Sequence, residues 1–170
     1  MDKLALFGPS DKHFIPEGGF CISSFAIMVK DGRVLLLKAA PHELWDQWAP
    51  NWKIYTPERA AEDTKRWRFP SAYIKEGEAP EDALARVMKE QLGIENYQVE
   101  SSTLENFYNP SGRYPGKMHW DYCFVYRVRT SENPRKQDWL AHVEYLDLKG
   151  LTEEEFGSAQ GDLARRLGLL

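Results

Sequence analysis

The sequence predicts an α/β fold, and three observations carry that reading. Two apolar, β-branched runs flank a two-residue turn signal at Asp31-Gly32. The stretch from about Pro80 to Leu92 has apolar residues at helical spacing, a proline at its start and a glycine just past its end. Two further strand-like runs, 97–108 and 119–129, precede a short third one and a closing amphipathic helix.

Length and composition set the frame. A chain of 170 residues with 42% hydrophobic content can bury one good core, so one domain over 1–170 is expected. With 22 Lys+Arg against 26 Asp+Glu the net charge is −4, which argues against nucleic acid or an anionic membrane as a partner. An anionic ligand would have to be met by a local basic patch. No apolar stretch reaches bilayer-spanning length and the opening residues do not read as a signal peptide, so a cytoplasmic location is expected. Cys21 and Cys123 lie far apart in apolar runs without metal-ligand spacing and read as buried, reduced thiols.

Phe20 to Val29 and Val34 to Leu37 are expected to pair as a hairpin across Asp31-Gly32. From 41 to 69 the character changes. Trp45, Trp48, Trp52 and Trp67 sit among charges and three prolines, and the stretch reads as an irregular, Trp-rich insertion with at most short helices. Trp45, Trp48 and Trp52 fall at i, i+3 and i+7, the spacing of a packed stripe. That packing is the favoured reading, and the alternative is one wall of a pocket that stacks on a purine-like ring.

In the stretch 80–92, Pro80 suits the first helical turn, Glu81 and Asp82 favour its positive end, and Gly93 fits a left-handed stop with Ile94 packing back. Ala83, Leu84, Val87, Met88 and Leu92 form one apolar stripe; Asp82, Arg86 and Glu90 form an i,i+4 ladder on another face. Ala79 takes the N-cap without a capping side chain. The two later strands are joined by turn residues 109–117. Val143 to Leu148 reads as a further strand, Thr152 with Glu155 as a capping box, and Ser158 to Leu167 as the last helix.

The central run has the order Ala72, five residues, Glu78, seven residues, Arg86-Val87-Met88-Lys89-Glu90-Gln91-Leu92-Gly93-Ile94. It resembles the Nudix box at Glu78, Arg86, Met88, Glu90, Gly93 and Ile94 in unbroken register, and departs from it at Ala72, Val87 and Gln91. The resemblance implies a Nudix-like α/β/α sandwich, with a curved, mixed and mostly antiparallel sheet between helices. It also implies hydrolysis of a phosphorylated, nucleoside-diphosphate-linked small molecule with Mg²⁺ or Mn²⁺. Such ions clamp pyrophosphate oxygens, activate water, and take carboxylate ligands.

Carried over by position, Glu78, Arg86 and Glu90 are the catalytic set, and Glu90, Gln91 and Glu78 the metal set. Val87 cannot coordinate anything, and Gln91 offers only a neutral amide oxygen. Ala72 stands where the box's first glycine offers a carbonyl to the metal. The scaffold positions are retained while the metal positions are depleted, so the metal site is expected to be weakened or altered. Ion binding assisted by the substrate's own phosphates and by an acid outside the box remains open, with Glu100, Glu105, Asp121 and Glu144 as candidates.

The candidate substrate-binding residues are Arg113, Lys117, His119, Trp45 and Trp48. The loop 111–117 could supply positive charge to phosphates or simply be an exposed hairpin loop. His119 and Asp121, two apart on a strand, share a face, which permits a proton-transfer or metal pair as well as ordinary packing. The opposing reading is a Nudix-fold protein that binds a nucleotide or a protein partner without cleaving it. The sequence is also compatible with a homodimer.

Overall fold

Residues 25–28 and 34–37 present no polar face, so the strands containing them must be covered on both sides. The computed structural model, which describes residues 16–47, 56–111, 114–158 and 160–170, shows how this is done. Strand β1 (Phe20–Ile27) lies between β4 (Ser71–Tyr73), antiparallel, and β6 (Met118–Arg129), parallel. β5 (Gln98–Pro110) runs antiparallel on the far side of β6, giving the order β4-β1-β6-β5. A second sheet has the order β2-β3-β7, from β2 (Val29–Lys30), β3 (Arg33–Ala39) and β7 (Leu140–Leu146), all antiparallel.

Alternate side chains go to two cores. Ala26 and Met28, Leu35 and Leu37, and Tyr126 and Val128 pack on one side against Leu84, Val87, Met88 and Leu92. Phe25 and Ile27, Val34 and Leu36, and Cys123 and Val125 pack on the other against Phe69, Phe156, Leu163 and Ala164. One core carries helix α2 (Pro80–Arg86) and the other α3 (Gln160–Arg166), so the architecture is α/β/α. Among the described residues no helix is long and apolar enough to cross a membrane.

The expected hairpin is shorter than the sequence suggested. Asp31 (φ 51°) and Gly32 (φ 73°) make the tight turn, but it joins β3 to the two-residue β2, with Val29 opposite Val34. β1 instead pairs in the other sheet, along its full length with β6 and at three positions with β4. The insertion contains a short 3₁₀ turn (His42–Gln47) and α1 (Pro57–Lys65), where Thr56 Oγ1 accepts from the Arg59 N–H at 3.3 Å and Pro57 opens the first turn. The last strand starts earlier than expected, since Leu140 is buried and pairs with Ala39. The capping box at Thr152 and Glu155 closes a 3₁₀ turn ahead of α3.

The helix expected over 80–92 forms, with one change of hydrogen bonding: after Arg86 it continues as a π-helical segment, Val87–Gln91. Gly93 (φ 64°) then donates to Lys89 O at 3.0 Å, the left-handed cap that only glycine adopts without strain. The whole apolar stripe of this helix is buried, Val87 completely. Its N-terminus is tied to β1 by Ser24 Oγ, which donates to Pro80 O at 2.8 Å. Tyr126 reaches the helix from β6, donating to Glu81 Oε1 at 3.1 Å, and burial together with that bond pushes the phenol up to about 12.

Leu84→Ala should therefore lower unfolding stability by about 2–5 kcal/mol, while Leu104→Ala, on a side chain 52% exposed, should stay within about 0.5 kcal/mol. Urea denaturation of the two variants checks this.

Candidate active site

The loop between β4 and α2 is built by one ion pair. Arg86 donates from Nε to Glu78 Oε1 and from Nη2 to Glu78 Oε2, both at 2.9 Å, and its Nη2 also reaches Tyr73 O at 2.8 Å. Glu78 Oε2 accepts in addition from the Lys75 N–H at 2.8 Å, closing a turn in which Gly77 has φ 75°. Hydrogen bonding from the Arg86 guanidinium and from the Lys75 backbone holds the Glu78 carboxyl down at about 2. The i,i+4 ladder expected with Asp82 is thus replaced by a fork to Glu78. A two-point guanidinium pair outcompetes single-point contacts along a helix face.

Gln91 is the second tie. Its Nε2 donates to Ser71 O at 2.6 Å and its Oε1 accepts from the Ser71 N–H at 3.2 Å. Ser71 belongs to the edge strand β4, so one amide side chain satisfies the exposed donor and acceptor of that edge. Glu90 is exposed on the same helix, and its charge adds to that of Glu78 on Arg86.

On the opposite face of the sheet, beyond the core that carries α3, lies a cleft of about 800 Å³ that joins a recess of about 170 Å³. His119 and Asp121 from β6 and Cys21 from β1 form its wall, because Cys21 stands directly across from Asp121 in the β1–β6 register. His119 is 8% exposed, with Nδ1 3.0 Å from Asn109 O and Nε2 3.0 Å from Asp121 Oδ1. The facing wall is α1, with Glu58, Arg59, Glu62 and Asp63, followed by Arg66. At the inner end Arg68 Nη2 lies 2.8 Å from Asp63 Oδ2.

Comparison with known proteins places this geometry. The model of the NUDIX domain matches residues 22–167. The chain belongs to the Nudix family.

Two solved structures share the Nudix fold with it. The MutT protein of Methanosarcina mazei Go1 is 15% identical, with TM-score 0.61 over 92% of this chain and 96% of that one. The MutT NUDIX hydrolase of Burkholderia pseudomallei is 21% identical, with TM-score 0.53 over 88% and 95%. In sequence, an RNA pyrophosphohydrolase of Marinomonas sp. (strain MWYL1) is 50% identical over 34 residues, a match that covers 20% of this chain and about a fifth, 21%, of that relative.

Three of the box positions singled out in the sequence are engaged within the protein. Val87 is sealed inside an apolar cluster, where a carboxylate would lose its hydration without a partner. The amide oxygen of Gln91, considered above as a metal ligand, is spent on Ser71, and both oxygens of Glu78 are spent on Arg86 and Lys75. Glu90 is left as the box's exposed carboxylate. Ala72 does not break the strand: it pairs with Ser24 inside β4.

Of the candidate acids outside the box, Asp121 lines the cleft, whereas Glu100 pairs with Arg129, Glu105 with Arg166 and Glu144 with His142. Among the candidate substrate-binding residues His119 is in the cleft. Lys117 is neutralised by Glu17, and Trp45 packs half-buried with Nε1 donating to Ala40 O at 2.8 Å, away from the cleft lining. Arg113 and Trp48 lie outside the described residues, as does Trp52. Cys123 is buried as expected and its thiol is pushed up to about 12 by burial, but Cys21 is only half-buried, because β1 runs past the core into the cleft. Its place beside Asp121 follows from a parallel pairing across 100 residues, which local sequence does not reveal.

Two predictions follow from the ties. In Gln91→Glu a carboxylate would face Ser71 O with no proton between them. The variant should lose about 1–3 kcal/mol at neutral pH in chelator and recover part of that loss with millimolar Mg²⁺, read by thermal melts in both buffers. For Glu78, the folded value of about 2 lies below the ordinary 4.5, so its stabilisation is complete above about pH 4.5 and fades as pH falls towards 2. Wild type should consequently lose more stability than Glu78→Gln between pH 5 and pH 3, by denaturant titration at each pH.

Proposed function

We propose that this Nudix-family chain hydrolyses a phosphorylated, nucleoside-diphosphate-linked small molecule through an altered divalent-metal arrangement, with the ligand seated in the cleft walled by His119 and Asp121. The observation that carries the reading is the cleft itself. At about 800 Å³ it has the volume of a small-ligand site, and it brings a histidine, a carboxylate and the arginines Arg59 and Arg66 together on a Nudix frame. The names of the similar proteins, an RNA pyrophosphohydrolase and a MutT NUDIX hydrolase, agree with phosphate-ester or phosphoanhydride chemistry. Mg²⁺ or Mn²⁺ is the expected ion and Glu90 the box carboxylate proposed to serve it, on the ground that the recess joining the cleft reaches the box at Ser71, Ala72 and Tyr73. The cytoplasm is the expected compartment.

A second reading, binding without cleavage, is favoured by one specific observation: Val87, Gln91 and Glu78 are all committed to packing or to hydrogen bonds within the protein. One experiment separates the two. The protein is incubated with Mg²⁺ or Mn²⁺ and a panel of dinucleoside polyphosphates, nucleotide sugars and nucleoside triphosphates, and product release and melting temperature are both followed. Hydrolysis of at least one compound, reduced more than about 100-fold in Glu90→Gln, is the expected result. Stabilisation by about 2.7 kcal/mol at 100 times Kd without turnover would establish the binding reading instead. If no compound is cleaved and none shifts the melt, both readings fail.

A further inference from the structure

We propose that Cys21, His119 and Asp121 form a binding site for a divalent transition-metal ion of the zinc class, separate from the Nudix box and unlike its oxygen-only ligand set. The Cys21 Sγ, a ring nitrogen of His119 and a carboxylate oxygen of Asp121 all lie within 4.8 Å of one another. Zinc bonds of about 2.0–2.3 Å at tetrahedral angles place ligand atoms about 3.3–3.8 Å apart. Closure of the three donors onto one ion therefore needs only side-chain adjustment. The backbone is already fixed, since Cys21 and Asp121 are opposed in the β1–β6 ladder and His119 is two residues along the same strand face.

The orientation of His119 is the second, independent observation. Nδ1 faces the Asn109 carbonyl at 3.0 Å, so that nitrogen carries a proton and points it at the backbone. This is the outer contact that usually aims the other nitrogen of a metal-binding histidine. Nε2 in turn faces Asp121 Oδ1 at 3.0 Å. An ion shared by Nε2 and that carboxylate would sit where the two atoms already converge. Gly18 secures the arrangement from behind: its N–H donates to Met118 O at 2.8 Å, and a Cβ there would come within 3.0 Å of the His119 Cβ.

The donor set selects the class of ion. Mg²⁺ takes oxygen ligands, whereas thiolate with imidazole suits Zn²⁺, Co²⁺ and their neighbours. Binding releases the thiol proton of Cys21 to solvent and leaves a fourth tetrahedral position for water or a ligand oxygen. None of the three residues lies in the box run 72–94.

The inference shares its cleft with the proposed function but is tested without any nucleotide, so the two can fail separately. The full chain, stripped of metal and reduced, is titrated with Co²⁺ and then displaced with Zn²⁺. The expected result is one equivalent of Co²⁺ with visible bands of tetrahedral intensity and a near-ultraviolet band from cobalt bound to thiolate, both abolished by Zn²⁺. Cys21→Ser should remove the thiolate band, and His119→Asn and Asp121→Asn should each weaken binding more than about tenfold. Cys123→Ser, in the buried core, should bind as wild type does. Absence of stoichiometric cobalt binding by the wild-type chain overturns the proposal, and so does a spectrum without the thiolate band, whichever variants fold.

Discussion

Burial of the central strands on both faces is the constraint from which the rest of this structure follows. β1 and β3 send Ala26, Met28, Leu35 and Leu37 one way and Phe25, Ile27, Val34 and Leu36 the other, and all eight are buried. Neither side can face water, so each needs a helix. The helix that closes the first side is the one bearing the Nudix box. Its contact stripe includes Val87, and apolar packing at that position competes directly with any metal-binding role for the same residue.

The ties around the box have a common physical logic. The loop is held to its helix by direct hydrogen bonds. Gln91 donates to Ser71 O and accepts from Ser71 N–H, and the first of these bonds is one that an ionised glutamate at the same position could not make. Arg86 and Glu78 satisfy each other and the Tyr73 carbonyl. The geometry of the frame is kept by neutral and paired groups.

What the sequence reveals, and what it hides, divides along the same line between local and non-local interactions. The helix at 80–92, the Asp31-Gly32 turn, the Thr152 capping box and the long β5–β6 pair are local patterns, and they are found where periodicity and turn chemistry put them. The π-helical segment leaves no mark in residue spacing, because a change from i+4 to i+5 bonding is decided by what the helix packs against. The pairing of β1 with β6 rather than with β3 is likewise invisible, since it joins residues 100 apart. The site follows suit. His119 and Asp121 are legible as a pair from their two-residue spacing on one strand, but Cys21 joins them only through the sheet register.

The difference between the two faces of the sheet bears on how such a protein can change its chemistry. The helix side of the four-stranded sheet is closed by packing, so substitutions there must preserve volume and can exchange a charged ligand only for something that fills the same space or makes the same backbone bonds. The cleft side is open at its outer end, with β1 and β6 projecting Cys21, His119 and Asp121 from rigid backbone into room for a ligand. Side chains there can vary without cost to the core. This Nudix frame therefore offers, on the face of the sheet away from the box helix, positions where donors can be gathered at fixed separations.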